Sequence, residues 1–257
     1  LRKITDIFLS AWALMSRIPL PQPRVFMAAG IPYMFPVIGL IVSCFTALLM
    51  GFALTFSEDP FIGVIAVLMI QYWAFNLFHF DGLLDTMDAV LSFKSKEERL
   101  DVLGDPHHGS FALFFGVMYL LLKIHLLENT IMQINDDFFS LIFIYPLAGR
   151  LSPLVVMATM TPAKKSGLGS QLGTISVLKG TGIVVMGITI TGGLTFLLAG
   201  YAGLAAVSVA ALATAGSGLA VAILYRVKIG GFTGDALGFS IELGELLYLF
   251  LLYILVR

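Results

Sequence analysis

Ile31-Pro-Tyr-Met-Phe-Pro-Val-Ile-Gly-Leu-Ile-Val-Ser-Cys-Phe-Thr-Ala-Leu-Leu-Met-Gly-Phe-Ala-Leu-Thr-Phe56 runs for 26 residues without a charged side chain. About 20 apolar residues are enough for a helix to cross the hydrocarbon core of a bilayer. Six more stretches read the same way or nearly so, roughly 60–80, 110–127, 138–160, 180–200, 202–225 and 237–256. The third is short and carries Lys123 and His125 at its end, where a long side chain reaches back toward the headgroups. The fifth and sixth are crowded with glycine and alanine, which let helices approach closely.

Composition agrees. Of 257 residues, 58% are apolar and 12% charged, and the mean hydropathy is +0.96. A soluble domain carries about 25% charged residues, so half the usual charge cannot coat a water-soluble surface. A soluble enzyme and a disordered chain are excluded. A net charge of −1 also excludes a nucleic-acid partner, which needs a basic excess. The single cysteine, Cys44, lies in an apolar run and reads as packing. No signal peptide is evident, and no repeat or second domain appears, so residues 1–257 form a single membrane domain.

Before the first span, Ile4, Ile7, Phe8, Trp12, Met15 and Ile18 recur at helical spacing opposite Asp6, Ser10 and Arg17. This predicts an amphipathic helix over Ile4–Leu20 in the headgroup region, stopped by Pro19, Pro21 and Pro23. The fold class is therefore all-α, a polytopic bundle of about seven transmembrane helices plus one interfacial helix. With the N-terminus in the cytoplasm, 12 of 15 basic residues fall on the inner side, in 1–30, 81–109, 161–179 and 226–236. The outer loops then hold Glu58, Asp59, Glu128, Asp136 and Asp137. That orientation puts loops 81–109, 161–179 and 226–236 in the cytoplasm of a cell whose inner membrane holds the chain.

These loops carry the chemistry. In His79-Phe-Asp-Gly-Leu-Leu-Asp-Thr-Met-Asp88, Asp81, Asp85 and Asp88 are spaced i, i+4, i+7 and share one helical face. Their mutual repulsion is relieved by a cation, and hard carboxylate oxygens suit Mg²⁺, which shares its coordination sphere with substrate phosphates. The ordinary alternative is a solvated acidic helix end beside Lys94 and Lys96. Downstream, Asp105-Pro-His-His-Gly109 forms a turn that brings Asp105 back toward the three aspartates. Adjacent histidines without further metal-spaced partners point away from zinc, and His107 is read as a surface or phosphate contact.

Arg150 lies inside the fourth span between Pro146 and Pro153, and Glu242 and Glu245 lie one turn apart in the last. Each costs about 2.5–3.5 kcal/mol in lipid and needs a partner. Either Arg150 pairs with one of the glutamates, or these groups, with Lys164 and Lys165, meet a charged substrate. In Gly230-Gly-Phe-Thr-Gly-Asp-Ala-Leu-Gly238, Thr233 or Asp235 caps the last helix. Alternatively, the glycines, Gly231 among them, let the backbone approach a phosphate and Asp235 approach a metal. Gly216-Ser217-Gly218 has no histidine base in any later span, which rejects an intramembrane serine protease. The charges together describe a membrane phosphotransferase at the inner surface.

The ordered motifs resemble the cobalamin synthase (adenosylcobinamide-GDP ribazoletransferase) family over most of the chain. They are Ser16-Arg-Ile-Pro-Leu-Pro21, Phe35-Pro-Val-Ile-Gly39, the His79–Asp88 block, Gly149-Arg150, Gly167-Leu-Gly169 and Gly230–Asp235 with Glu242 and Glu245. The resemblance implies that a hydroxyl of α-ribazole, or of α-ribazole 5′-phosphate, attacks the corrinoid-linked phosphorus of adenosylcobinamide-GDP. GMP leaves, and adenosylcobalamin or its 5′-phosphate forms. It implies Asp81, Asp85 and Asp105 as Mg²⁺ ligands, with Asp88 a ligand or the base, and Asp85 a second catalytic candidate. Arg150, Asp235, Glu242 and Glu245 are implied as further contacts, and a homo-oligomer is compatible with this reading. Asp105-Pro-His-His-Gly109 stands where the family usually has Asp-Ser-Arg-(Ile/Leu)-Gly, so His107 takes the place of the usual arginine. Ala112 replaces a usual glycine. Two other readings are a CDP-alcohol phosphatidyltransferase-like enzyme, whose Ala-Arg after Asp-Gly is missing, and a cation transporter, whose acids would lie at mid-membrane.

Overall fold

The computed structural model describes residues 2–56, 59–133, 141 and 144–257. Helices dominate, and among the described residues six are long and apolar enough to cross a membrane. The chain begins with α1 (Arg2–Met15), passes a 3₁₀ turn (Ala28–Met34) and enters α2 (Phe35–Phe56). Next come α3 (Pro60–Leu91), the short α4 (Lys96–Val102) and α5 (Ser110–Gln133). Then follow α6 (Tyr145–Thr159), the short α7 (Leu168–Leu172), α8 (Val177–Leu197), α9 (Gly200–Lys228) and α10 (Gly234–Val256). Large apolar side chains such as Leu48, Met69, Leu113 and Leu212 lie exposed on the outward faces, as a multi-pass membrane protein requires.

Local sequence explains the ends. Asp59 caps α3, its carboxylate accepting the Phe61 N–H at 2.9 Å, with Pro60 in the first turn where its missing N–H costs nothing. Ser95 and Glu98 form a capping box on α4. Gly200, at φ 57° and ψ −135°, lets α8 turn back into α9.

α6 is the hub, with 12 of its 15 residues buried between α2, α8, α9 and α10. Backbone approach makes that possible. A Cβ on Gly149 would meet the Ile241 carbonyl at 2.6 Å, and one on Gly244 would meet Gly149 Cα at 2.9 Å.

Several expectations are corrected. The predicted span 60–80 does not stop there: α3 continues to Leu91 through a π-helical segment, Tyr72–Asn76, so Asp81, Asp85 and Asp88 share a helical face as expected and the loop predicted from 81 begins only after Leu91. Likewise 226–228 closes α9 and 234–236 opens α10. The third span extends to Gln133, which moves Lys123 from a helix end to mid-helix, where it is fully buried and cannot reach the headgroups. α1 ends at Met15, not Leu20, and Ser10 faces inward. The returning chain accounts for this, since Ser10 Oγ accepts the Met27 N–H at 3.0 Å and the Asp6 carboxylate accepts that of Arg24 at 3.1 Å. Cys44 is exposed on the outer side of α2 instead of packed. The fourth predicted span is helical over Tyr145–Thr159, while its residues 138–140, 142 and 143 lie outside the described residues, as do Glu58, Asp136 and Asp137.

Candidate functional site

Two clusters of charge occupy the bundle, and they are separate. The first lies where α3 crosses the start of α10. A Cβ on Gly82 would stand 2.8 Å from the Asp235 carbonyl, so only glycine lets these two backbones meet. That crossing aligns Asp81 and Asp85, one turn apart on α3, beside Asp235. His108, from the turn before α5, folds over them. Its Nε2 lies 3.4 Å from an Asp81 carboxylate oxygen and its Nδ1 3.3 Å from one of Asp85. One ligand atom from each of these three residues lies within 4.8 Å of the others, the spacing needed to share one ion. The charges of Asp81, Asp235, Asp88 and Asp105 all act on Asp85.

Asp88 is committed differently. Its two carboxylate oxygens accept the backbone N–H groups of Gly109 and Ala112 and so cap α5 from a neighbouring helix. Asp105 is exposed, and its carboxylate accepts the His107 N–H at 3.0 Å and lies 2.8 Å from His107 Nδ1. The His107 contact holds the Asp105 carboxyl below the usual carboxylate range. His107 thus turns outward to Asp105, and it is His108 that faces the paired carboxylates.

Asp235 receives a hydrogen bond from Thr233 Oγ1 at 3.0 Å, and Thr233 is the cap of α10, its Oγ1 accepting the Ala236 N–H. Gly231 allows close backbone pairing. Ala163 donates to the Phe232 carbonyl at 2.8 Å and Phe232 to that of Thr161 at 3.0 Å, while a Cβ on Gly231 would meet Ala163 Cα at 2.7 Å. This pairing ties segment 161–167 to the start of α10. Lys164 sits there at the rim, donating to the Leu100 carbonyl at 3.0 Å, and Lys165 is exposed.

The second cluster holds Arg150, Glu242 and Glu245, which the fold does not bring to the aspartates. Arg150 donates to Glu245 and, at 2.7 Å, to the Asn76 side-chain carbonyl. Lys123 pairs with Glu245 and lies 3.6 Å from Glu242. Tyr72, Tyr119 and Asn76 donate to Glu242 at 2.8, 2.6 and 2.8 Å. All four charged groups are fully buried. Two cations and two carboxylates balance, which is the arrangement that lets charge persist away from water. The π-helical segment of α3 lies here, with Tyr72 and Asn76 both on the glutamates. Ser217 is likewise structural, within 2.7 Å of the Ser152 hydroxyl.

The geometry of the first cluster makes a testable demand on Gly82. Gly82→Ala is expected to lower turnover at least tenfold with unchanged helical content by circular dichroism, since forcing α3 off α10 displaces both aspartates and a shift of about 1 Å can cost 10²-fold. Unchanged turnover would show that the crossing does not set the site.

A family model described as Cobalamin-5-phosphate synthase matches residues 7–253. A relative from Fusobacterium nucleatum subsp. nucleatum named adenosylcobinamide-GDP ribazoletransferase is 28% identical, the match covering 96% of this chain and 97% of that one. A relative of the same name from Desulfitobacterium hafniense is 29% identical over 93% of each chain, and one from Clostridioides difficile is 30% identical over 86% of each. No solved structure matches the chain.

Proposed function

We propose, because the chain belongs to the Cobalamin-5-phosphate synthase family, that it joins α-ribazole or its 5′-phosphate to adenosylcobinamide-GDP and releases GMP. The observation that carries the reading within this chain is the convergence of Asp81, Asp85 and His108 at the glycine-enforced crossing of α3 and α10. A hydroxyl oxygen of the ribazole forms a bond to the corrinoid-linked phosphorus, the bond from that phosphorus to the GMP oxygen breaks, and GMP takes the electron pair. The product is adenosylcobalamin or its 5′-phosphate.

The donor set fits a hard divalent cation such as Mg²⁺. Two carboxylates with few nitrogen ligands suit an ion that keeps waters and binds substrate phosphates, and the His108 ring lies against both of them. Asp81, Asp85 and His108 would hold it. When bound, Mg²⁺ supplies neutralisation of the diphosphate charge as the phosphorus is attacked. The protein's own groups do the rest. Asp85 is the better placed proton acceptor for the attacking hydroxyl, because both Asp88 oxygens already accept backbone N–H groups. Lys164 at the rim offers positive charge to a phosphate. The excess of Lys and Arg at this end of the bundle supports a site facing the cytoplasm from the inner membrane.

The test supplies purified protein in lipid with adenosylcobinamide-GDP and α-ribazole, with Mg²⁺ or with chelator. GMP release that needs Mg²⁺ is expected. CMP from a CDP-lipid without GMP would replace this reading with a phosphatidyltransferase, and cation flux without either product would replace it with transport.

A further inference from the structure

The sequence holds no carboxylate side chain between Asp137 and Asp235, while Arg150, Lys164, Lys165, Lys179, Arg226 and Lys228 all fall within that stretch. It supplies α6, α8 and α9. Where α6 and α9 end and α8 begins, these elements line an open cleft of about 540 Å³, within the size range of small-ligand sites. The cleft shares no lining residue with the group of Asp81, Asp85 and His108. Its floor is apolar, formed by Met157, Met160 and Ile175, each no more than 8% exposed. Its mouth is polar. Arg226 is exposed there, and one arm of its guanidinium donates to the Thr159 carbonyl at 2.7 Å. That contact fixes the group at the cleft, while its other N–H groups have no hydrogen-bond partner among the described residues. The hydroxyls of Thr161 and Thr174, also in the lining, are likewise without a partner among the described residues. Ser176 caps α8 at the same edge, which adds the positive end of a helix dipole. A guanidinium fork beside hydroxyls, with no carboxylate in the lining, is chemistry suited to a phosphate.

We propose that this cleft binds the phosphate headgroup of an anionic phospholipid, the phosphate meeting Arg226 and the hydroxyls of Thr161 and Thr174. The site lies apart from the aspartates and stands whatever reaction they catalyse. Two observations select a lipid over a soluble phosphate ester. Val177, at the edge of the cleft, and Leu178 beside it are exposed apolar residues in the first turn of α8. Ile223, one turn before Arg226, and Val227 are exposed on α9. Both helices are long and apolar enough to span the bilayer, so the cleft opens where headgroups give way to acyl chains, and the chains run along these side chains. A soluble ester would meet the same arginine and gain nothing from this apolar fringe. Lys179 and Lys228 stand in the same two terminal turns and favour a headgroup of net negative charge over a zwitterionic one. Basic pockets between spanning helices at a membrane surface hold anionic headgroups in this way.

The experiment is native mass spectrometry of the full chain released from detergent micelles, titrated with phosphatidylglycerol, phosphatidylcholine or soluble glycerol phosphate. Phosphatidylglycerol is expected to bind about tenfold more tightly than either of the others. Arg226→Gln should lower that binding about tenfold, the worth of a hydrogen bond to a charged group. Arg226→Lys should keep part of it, since an ammonium retains the charge and loses the fork. Thr161→Val/Thr174→Val should weaken binding several-fold while leaving the contact of Arg226 with Thr159 in place, so it reports on the cleft even where Arg226→Gln disturbs the helix ends. Arg24→Gln, which removes an exposed cation outside the cleft, should bind as the wild type does. Equal binding of phosphatidylglycerol and phosphatidylcholine, or a loss in Arg24→Gln as large as that in Arg226→Gln, would overturn the proposal in favour of general charge attraction. Glycerol phosphate bound as tightly as phosphatidylglycerol would overturn the lipid assignment. Wild-type binding in both Arg226→Gln and the double threonine variant would overturn the cleft itself.

Discussion

Asp85→Asn is expected to lower GMP release by about 10²–10³-fold, the usual cost of removing one group that stabilises charge in a transition state. The reasoning is geometric. Asp85 is the centre of the acidic group, one turn from Asp81 and within 3.3 Å of His108, and the substitution keeps size and shape while removing the charge. Asp88→Asn is the comparison that gives the number meaning. Asp88 is spaced on the same helical face, but its two oxygens accept the Gly109 and Ala112 N–H groups, so an asparagine there keeps one acceptor and leaves one backbone N–H facing an amide NH2, about 1–3 kcal/mol of stability. Asp88→Asn should therefore reduce thermal stability while costing less than tenfold in turnover at a temperature where it stays folded. The reverse order, with Asp88→Asn nearly inactive and Asp85→Asn close to wild type, would return the base assignment to Asp88.

Glu245→Leu is expected to destabilise the bundle by about 3–5 kcal/mol, the cost of stranding a buried charge. Glu245 faces Arg150 on one side and Lys123 on the other, all fully buried. Removing its carboxylate leaves two cations against Glu242 alone. Unfolding in detergent should show a large fall in midpoint, and adding Arg150→Met should restore part of it, because the double variant removes the stranded charge together with its partner. A Glu245→Leu protein with an unchanged unfolding midpoint and abolished turnover would instead make this network part of the reaction site.

Much of the architecture was readable from charge-free length alone, since only a helix satisfies its backbone polar groups inside lipid. The pairing of Asp81 with Asp85 was readable from i, i+4 spacing, whereas the partnership of Arg150 with a glutamate was only one of two readings that the cost of buried charge left open. What escaped were features set by contacts distant in sequence. Lys123 looked terminal because hydropathy falls after 127, yet α5 runs to Gln133 and its ammonium meets Glu245, 122 residues away. His107 and His108 are adjacent in a turn, and periodicity says nothing about which one faces inward. The cap that Asp88 places on α5 spans 21 residues of loop and helix. Arg150, Glu242 and Glu245 resemble site residues in a linear reading because buried charge is unusual whatever its purpose. Gly82 and Gly231 stand against the backbones of Asp235 and Ala163, a closeness that only the fold reveals.

Binding of Mn²⁺, a paramagnetic stand-in for Mg²⁺, to the purified chain in lipid tests most directly whether the end of α3 is a cation site. Electron paramagnetic resonance titration of the wild type is expected to show bound Mn²⁺ that Mg²⁺ displaces, lost in Asp81→Asn/Asp85→Asn and weakened in His108→Ala. Equal binding by the wild type and the double variant, or none by either in the presence of adenosylcobinamide-GDP, would contradict it.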